Sequence, residues 1–259
     1  MKERSALVTG ASAGIGAVYA DRLARRGHDV VLVARDTARL EKLAAHLKAE
    51  SGATVEVFPA DLTNTADRAR VEQRLREDQN IGILINNAGT TVPGGLGNAD
   101  LDTLEKLIDL NVTAVTRLAA AVAPRFLSEG GGAIVNIASV LALAPEAFPG
   151  VYPATKAFVL TLSQSLQAEL GPRGVYVQAV LPGATRTAIW GHAGRDVDSI
   201  PGMMEVDRMV DAALVGFDRR EPVTIPPLPD ESQWDAFAKA RVAMLPNFRN
   251  SEPAVRYRA

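Results

Sequence analysis

The sequence predicts an α/β fold, a doubly wound parallel sheet with helices on both faces. Three observations carry that expectation. Short β-branched runs alternate with longer amphipathic stretches along most of the chain. The short runs are nearly pure Val, Ile, Leu and Ala, the mark of strands covered on both faces. Strand–helix alternation of this kind implies right-handed crossovers, which lay successive strands parallel.

Taken in order, residues 6–9 open the sheet and residues 15–26 form a helix that stops at Arg26-Gly27. Strand 29–33 follows, then Asp36 in N-cap position ahead of helix 37–50. Strand 54–58 leads to helix 66–79, and strand 83–86 to a long helical run, 101–127, expected to break near its middle. Strand 133–138 precedes helix 152–170, which Gly171-Pro172 closes. Strand 175–180, helix 206–218 and strand 223–225 complete the alternation. From about Trp190 the pattern loosens, and Ile225-Pro226-Pro227-Leu228-Pro229-Asp230 reads as a stiff extended connector to a helix at 231–244 and a polar tail. The expected organisation is one domain, 1–259, with a substrate loop and C-terminal extension from about 188 to 259 inside it.

Composition removes several function classes. The 259 residues include no cysteine, which excludes a disulfide scaffold, thiolate catalysis and zinc held by sulfur. Lys plus Arg total 28 against 30 Asp plus Glu, so the chain lacks the basic footprint of a nucleic-acid binder. The first residues are too short an apolar stretch for a signal peptide, and no uninterrupted apolar run approaches the ~20 residues that span a bilayer. The expectation is therefore a cytoplasmic protein with no membrane and no nucleic acid among its partners. His28 and His46 fall on a turn and a helix and suggest no metal cluster.

Where the first strand meets the first helix stands Thr9-Gly10-Ala11-Ser12-Ala13-Gly14-Ile15-Gly16. Glycines at these places allow a tight turn, close backbone approach to a pyrophosphate and close packing of helix on strand. The helix beginning near Gly14 would aim its free N–H groups at the phosphates. The same glycines would also serve a turn that binds nothing. At the end of the second strand, the place of the acid that selects NAD holds Ala34, followed by Arg35 and Asp36. A guanidinium there suits a 2′-phosphate, which favours NADP(H) over NAD(H), whereas a solvated charge is the plainer reading.

Tyr152 and Lys156 lie four positions apart at the start of helix 152–170, hence on one face and one turn apart. Pro153 between them sits at an early helical position that tolerates it. A nearby ammonium favours phenolate, so the pair predicts a tyrosine of lowered pKa able to exchange a proton near neutral pH. Ser139, at the C-terminal end of strand 133–138, is placed to hydrogen-bond a substrate oxygen or simply to make a turn. Asn111 interrupts the 101–127 run, where it would hold a water near Lys156 or kink a helix.

These pieces, together with Asp61-Leu62, Asn86-Asn87-Ala88-Gly89 and Pro182-Gly183, resemble the short-chain dehydrogenase/reductase family, in its short single-domain branch, in order and spacing over residues 5–187. The resemblance implies a seven-stranded, Rossmann-like sheet with the dinucleotide across its C-terminal edge. By that resemblance Gly10, Ser12, Gly14, Ile15 and Gly16 form the phosphate turn, Asp61 and Leu62 contact the adenine, and Asn87, Ala88 and Gly89 line the neighbouring ribose. Lys156 would bind the nicotinamide ribose as well as acidify Tyr152, and Gly183, Thr185 and Thr187 would hold the carboxamide end. Asn111 would support a proton relay, Ser139 would orient the carbonyl, and Tyr152 would be the acid–base group. Family members commonly form dimers or tetramers, so a homo-dimer or homo-tetramer is expected.

The substrate loops of such a protein would be residues 90–95, 141–145 and 188–205. The middle one is apolar, and Ile189, Trp190, Met203 and Met204 add bulk, so the expected partner is a small hydrophobic carbonyl or alcohol. His192 reads either as a polar anchor or as a solvated loop residue. The alternative function is a non-catalytic sensor that reads NADP(H) and signals to a partner.

Overall fold

The computed structural model describes residues 3–258. The chain divides into two compact units, Met1–Pro226 and Pro227–Ala259, with the boundary inside the proline-rich connector.

The first unit carries the sheet. Its strands are β1 (Glu3–Thr9), β2 (His28–Ala34), β3 (Val55–Pro59), β4 (Ile81–Asn86), β5 (Gly132–Ile137), β6 (Val175–Val180) and β7 (Val223–Thr224). They form one seven-stranded sheet in the order β3-β2-β1-β4-β5-β6-β7, with every neighbouring pair parallel. The helices are α1 (Gly14–Arg25), α2 (Thr37–Ser51), α3 (Thr65–Glu77), α4 (Leu101–Ile108), α5 (Val115–Ser128), α6 (Tyr152–Leu170), the single turn α7 (Ile189–His192) and α8 (Val206–Asp218). The fold class, strand set and crossovers are those the sequence predicts, and α6 and α8 keep the expected ends.

Alternating side chains explain why the sheet is covered twice. Ala6 and Val8 of β1 join a cluster with Tyr19 and Leu23 of α1 and Met209 and Leu214 of α8. Leu7 between them faces the opposite cluster, with Val71 and Leu75 of α3 and Leu118 and Phe126 of α5. Strand order reverses between β1 and β4, and in an open α/β sheet the crevice outside that switch point is where ligands bind.

The expected break in the 101–127 run is no break. The helix runs on through a π turn, Asp109–Ala114, which joins α4 to α5 and turns Asn111 into the interior, 1% exposed. Taken as one helix, Leu101–Ser128 is long and apolar enough to cross a membrane by length and composition alone. Half of its apolar 18-residue segment is buried here, and Leu118, Val122 and Phe126 pack into the core.

The second unit contains α9 (Glu231–Ala243), where the sequence places a helix, and two short 3-10 turns, Leu245–Arg249 and Val255–Tyr257. Asp230 caps α9 by accepting the Ser232 N–H. The rings of Trp234 and Phe237 stack with centroids 5.5 Å apart.

Candidate active site

The tips of β1 and β4 are sewn together at the switch point. The Thr9 hydroxyl accepts the N–H groups of Asn87 (2.9 Å) and Ala88 (3.0 Å), and the Asn87 amide donates to the Thr9 carbonyl (2.8 Å). The glycines of the turn are needed for contact as well as conformation. Gly10 has φ +66°, and a Cβ there would lie 2.9 Å from Ala88 Cα; a Cβ on Gly16 would lie 2.4 Å from the Gly10 carbonyl oxygen. The residue before α1 is Ala13, which supplies no side-chain cap, so the first-turn N–H groups of α1 have no side chain to satisfy them. An uncapped helix end behind a turn with glycine at its first and last places fits a bound diphosphate in polarity.

The opposite flank of the crevice is β5 and α6. Lys156 is buried, 5% exposed, and its Nζ donates to the Ile137 carbonyl at 2.8 Å. The same Nζ lies 5.7 Å from the centroid of the Tyr152 ring, so the two side chains do share a face. Ser139 ends the β5 crossing, nearly buried, with its Oγ accepting the Leu141 N–H at 3.2 Å. Asn111 is held on three sides: its Oδ1 accepts the Thr90 N–H at 2.9 Å, and its Nδ2 donates to the Thr90 carbonyl (2.9 Å) and the Thr155 hydroxyl (3.0 Å). Its Oδ1 and Lys156 Nζ flank one point beside Gly89, where a Cβ would meet them at 3.3 and 3.5 Å.

The electrostatics correct one expectation. The spacing predicts a tyrosine acidified by its lysine, but burial pushes Tyr152 up to about 12, with the Ser139 hydroxyl as the group that draws it back. Burial also pushes Lys156 down to about 8. The ammonium faces the ring of the tyrosine and is bonded to a backbone carbonyl, so desolvation governs both groups. The phenol is therefore held protonated at neutral pH, and the lysine is the group that titrates near it.

A cavity of about 340 Å³ joins these features. Gly10, Gly14 and Ile15 line one end, Asn87, Ala88 and Gly89 the β4 side, and Ser139, Tyr152 and Lys156 the middle. Gly183, Thr185 and Thr187 line the far wall, where Thr185 Oγ1 donates to the Gly183 carbonyl at 3.1 Å. Six predicted residues stand outside its lining: Ser12, Gly16, Arg35, Asp61, Leu62 and Asn111. Leu62 is 4% exposed in the core beneath α3, and Asp61 Oδ1 accepts both the N–H and the hydroxyl of Thr63. The Arg35 side chain is 73% exposed and lies 4.0 Å from the Asp61 carboxylate, while Asp36 caps α2 through the Arg39 N–H as expected.

The end of the cavity where the sequence places the substrate loops is lined only partly as expected. Thr91, Leu141, Ile189 and Trp190 line it, but Met203 and Met204 do not, because Met204 bridges Thr185 in backbone pairing and packs on the core. His192, open in the sequence reading, lines the cavity with Nδ1 3.3 Å from the Thr90 hydroxyl. Arg195 and Ile200 line it from within the expected 188–205 loop, whereas Val140, Ala147 and Phe148 lie just outside the expected 141–145 loop. The signal for these three is their place beside that loop, on the short stretch between Ser139 and Tyr152. Among the described residues no group of His, Asp and Glu is placed to hold a metal ion.

Comparison with known proteins agrees with this geometry. The family described as short chain dehydrogenase matches residues 4–198. A solved short-chain dehydrogenase from Sphingobium yanoikuyae in complex with NADPH is 62% identical, with a TM-score of 0.97 over 98% of this chain and all of that one. The bulky-bulky ketone specific alcohol dehydrogenase from Comamonas testosteroni is 51% identical, with a TM-score of 0.93 over the whole of both chains. Human 17-beta-hydroxysteroid dehydrogenase type 3 is 34% identical over 195 residues, 74% of this chain and 62% of that protein.

Proposed function

The chain belongs to the short-chain dehydrogenase family, and from that premise we propose that it interconverts a ketone or aldehyde and the corresponding alcohol by hydride transfer with NADP(H). The observation that carries the reading is a single cavity holding the glycine turn at one end and Ser139, Tyr152 and Lys156 together in its middle. The cofactor choice draws on the NADPH held by the Sphingobium yanoikuyae structure and on Arg35 at the end of β2.

Bound NADP(H) supplies the hydride in reduction and accepts it in oxidation. The residues of this chain do the rest. Gly10, Gly14 and the start of α1 would hold the phosphates, Arg35 would pair with the 2′-phosphate, and Gly183, Thr185 and Thr187 would fix the carboxamide end. Ser139 hydrogen-bonds the carbonyl oxygen and orients it toward Tyr152. Tyr152, kept protonated by burial, donates its phenolic proton to that oxygen as negative charge develops there. Lys156 then resupplies the phenolate, with Asn111 Oδ1 beside the same point steering a relay to solvent. In oxidation the same proton path runs backwards.

The test is Tyr152→Phe. NADPH binding should stay within about twofold while turnover on a panel of ketones falls by roughly 10²–10⁴, the usual contribution of a positioned acid. Full turnover in that variant removes Tyr152 from the mechanism. No turnover by the parent protein, beside tight and redox-selective NADP(H) binding, would instead favour a sensor.

A further inference from the structure

Between Ser139 and Tyr152 the chain places Phe148, 9% exposed, with its ring centroid 5.7 Å from that of Tyr152 and tilted 57° to it. One face of the Phe148 ring meets Arg195, whose guanidinium carbon lies 5.4 Å from the ring centroid, within cation–π range. Among the described residues Arg195 has no acidic partner, so stacking on this ring is the contact its charge makes.

Arg195 comes from the other side of the cleft, on the segment after α7, and that segment is pinned. The Arg195 N–H donates to the Trp190 carbonyl at 2.9 Å, and Trp190 Nε1 donates to the Thr185 carbonyl at 2.8 Å. His192 Nδ1 lies 3.3 Å from the Thr90 hydroxyl. The ring beside the catalytic tyrosine is thus held from across the cavity by a residue whose own backbone is anchored. A ring fixed in this way sets a hard boundary to the cavity, which a flat group clears and a thicker one of the same carbon count does not.

We propose that Phe148 is a specificity-determining wall of the substrate cavity and that Arg195 is its positioning residue, so that the enzyme favours ketones bearing an aryl ring over those bearing a saturated ring of equal size. The inference rests on the ketone-reductase reading above and names the substrate class for it.

The test compares phenyl methyl ketone with cyclohexyl methyl ketone in the full-length protein with NADPH, reading the phenyl-to-cyclohexyl ratio of kcat/KM in each variant relative to the parent, so that intrinsic reactivity cancels. Phe148→Ala should lower the ratio by about tenfold, the scale on which pocket shape discriminates. Arg195→Met should lower it by about threefold, chiefly through KM, as loss of a partly exposed cation–π contact implies, and Arg195→Lys should restore most of it. An unchanged ratio in Phe148→Ala overturns the wall, and an unchanged ratio in Arg195→Met overturns the positioning role. Binding of benzamide against cyclohexanecarboxamide to the NADPH complex separates the two levels of inference. Aryl preference in binding without reduction of either ketone keeps the wall and discards the reductase. Reduction of both ketones with no change of ratio in either variant does the reverse.

Discussion

The two ends of the cleft are built on different principles. At the dinucleotide end the limits are backbone: a Cβ on Gly10 or Gly16 would meet Ala88 Cα at 2.9 Å or the Gly10 carbonyl oxygen at 2.4 Å. At the substrate end the limits are side chains, Phe148, Trp190 and Arg195 among them, and a Cβ on Gly191 would find nothing within 4 Å. The first end is a shape the main chain imposes, whereas the second is a surface that substitution can recut. One end therefore fixes which cofactor chemistry is available, and the other leaves the substrate open to change.

Gly16→Ala tests the rigid end most severely. Because the obstructing atoms are backbone, stability should fall by roughly 3 kcal/mol, the upper range for overpacking. Urea unfolding with an unshifted midpoint would break the contrast. Lys156→Met should move stability the other way. A lysine held at about 8 in the fold against an unfolded value near 10.5 makes the folded state pay for burial in full below pH 8, and that cost fades as pH rises to about 10.5. At about 1.4 kcal/mol per unit, the variant should gain up to about 3 kcal/mol at pH 7 and almost nothing at pH 10.5, while losing its activity. A gain that does not vary with pH would show that the lysine is charged in the fold as readily as in water.

Arg35→Ala probes the outer edge of the dinucleotide end, where the contact proposed is a side chain. The preference for NADPH over NADH, measured as a ratio of dissociation constants, should narrow about tenfold, in line with losing one charge-assisted contact. The smallest effect is expected from Gly191→Ala, which should shift the unfolding midpoint by less than about 0.5 kcal/mol equivalent. A large loss there would make the substrate end as backbone-bound as its counterpart.

The same contrast explains which features the amino-acid order announces by itself. Strands and crossovers are legible because residues buried on two faces leave nearly pure Val and Ile runs, and the glycine turn because backbone contact tolerates one residue type. Tyr152, Lys156 and Ser139 are legible because a fixed strand end and one helical turn determine where they meet. The pairing of Phe148 with Arg195 is not, since it joins loops 47 positions apart and nothing local marks the contact. Met203 and Met204 mislead for a related reason: bulk in a variable loop does not say whether it faces the cavity, and Met204 turns to the core. The direction of the Tyr152 shift is illegible too, because spacing gives proximity to a cation but not the burial that outweighs it.

The π turn at Asp109–Ala114 has an engineering consequence. It holds one residue more than an α-helical turn would, so losing one of its members leaves a regular α turn and keeps Leu118 and Phe126 on the sheet, at the expense of the wide turn that aims Asn111 inward. Losing a residue from the regular turns of α5 instead would swing everything downstream by roughly 100°, the angular step of a single residue. Libraries that vary chain length along this helix should therefore place their deletions in the wide turn to keep the fold, and spare it to keep Asn111 in place.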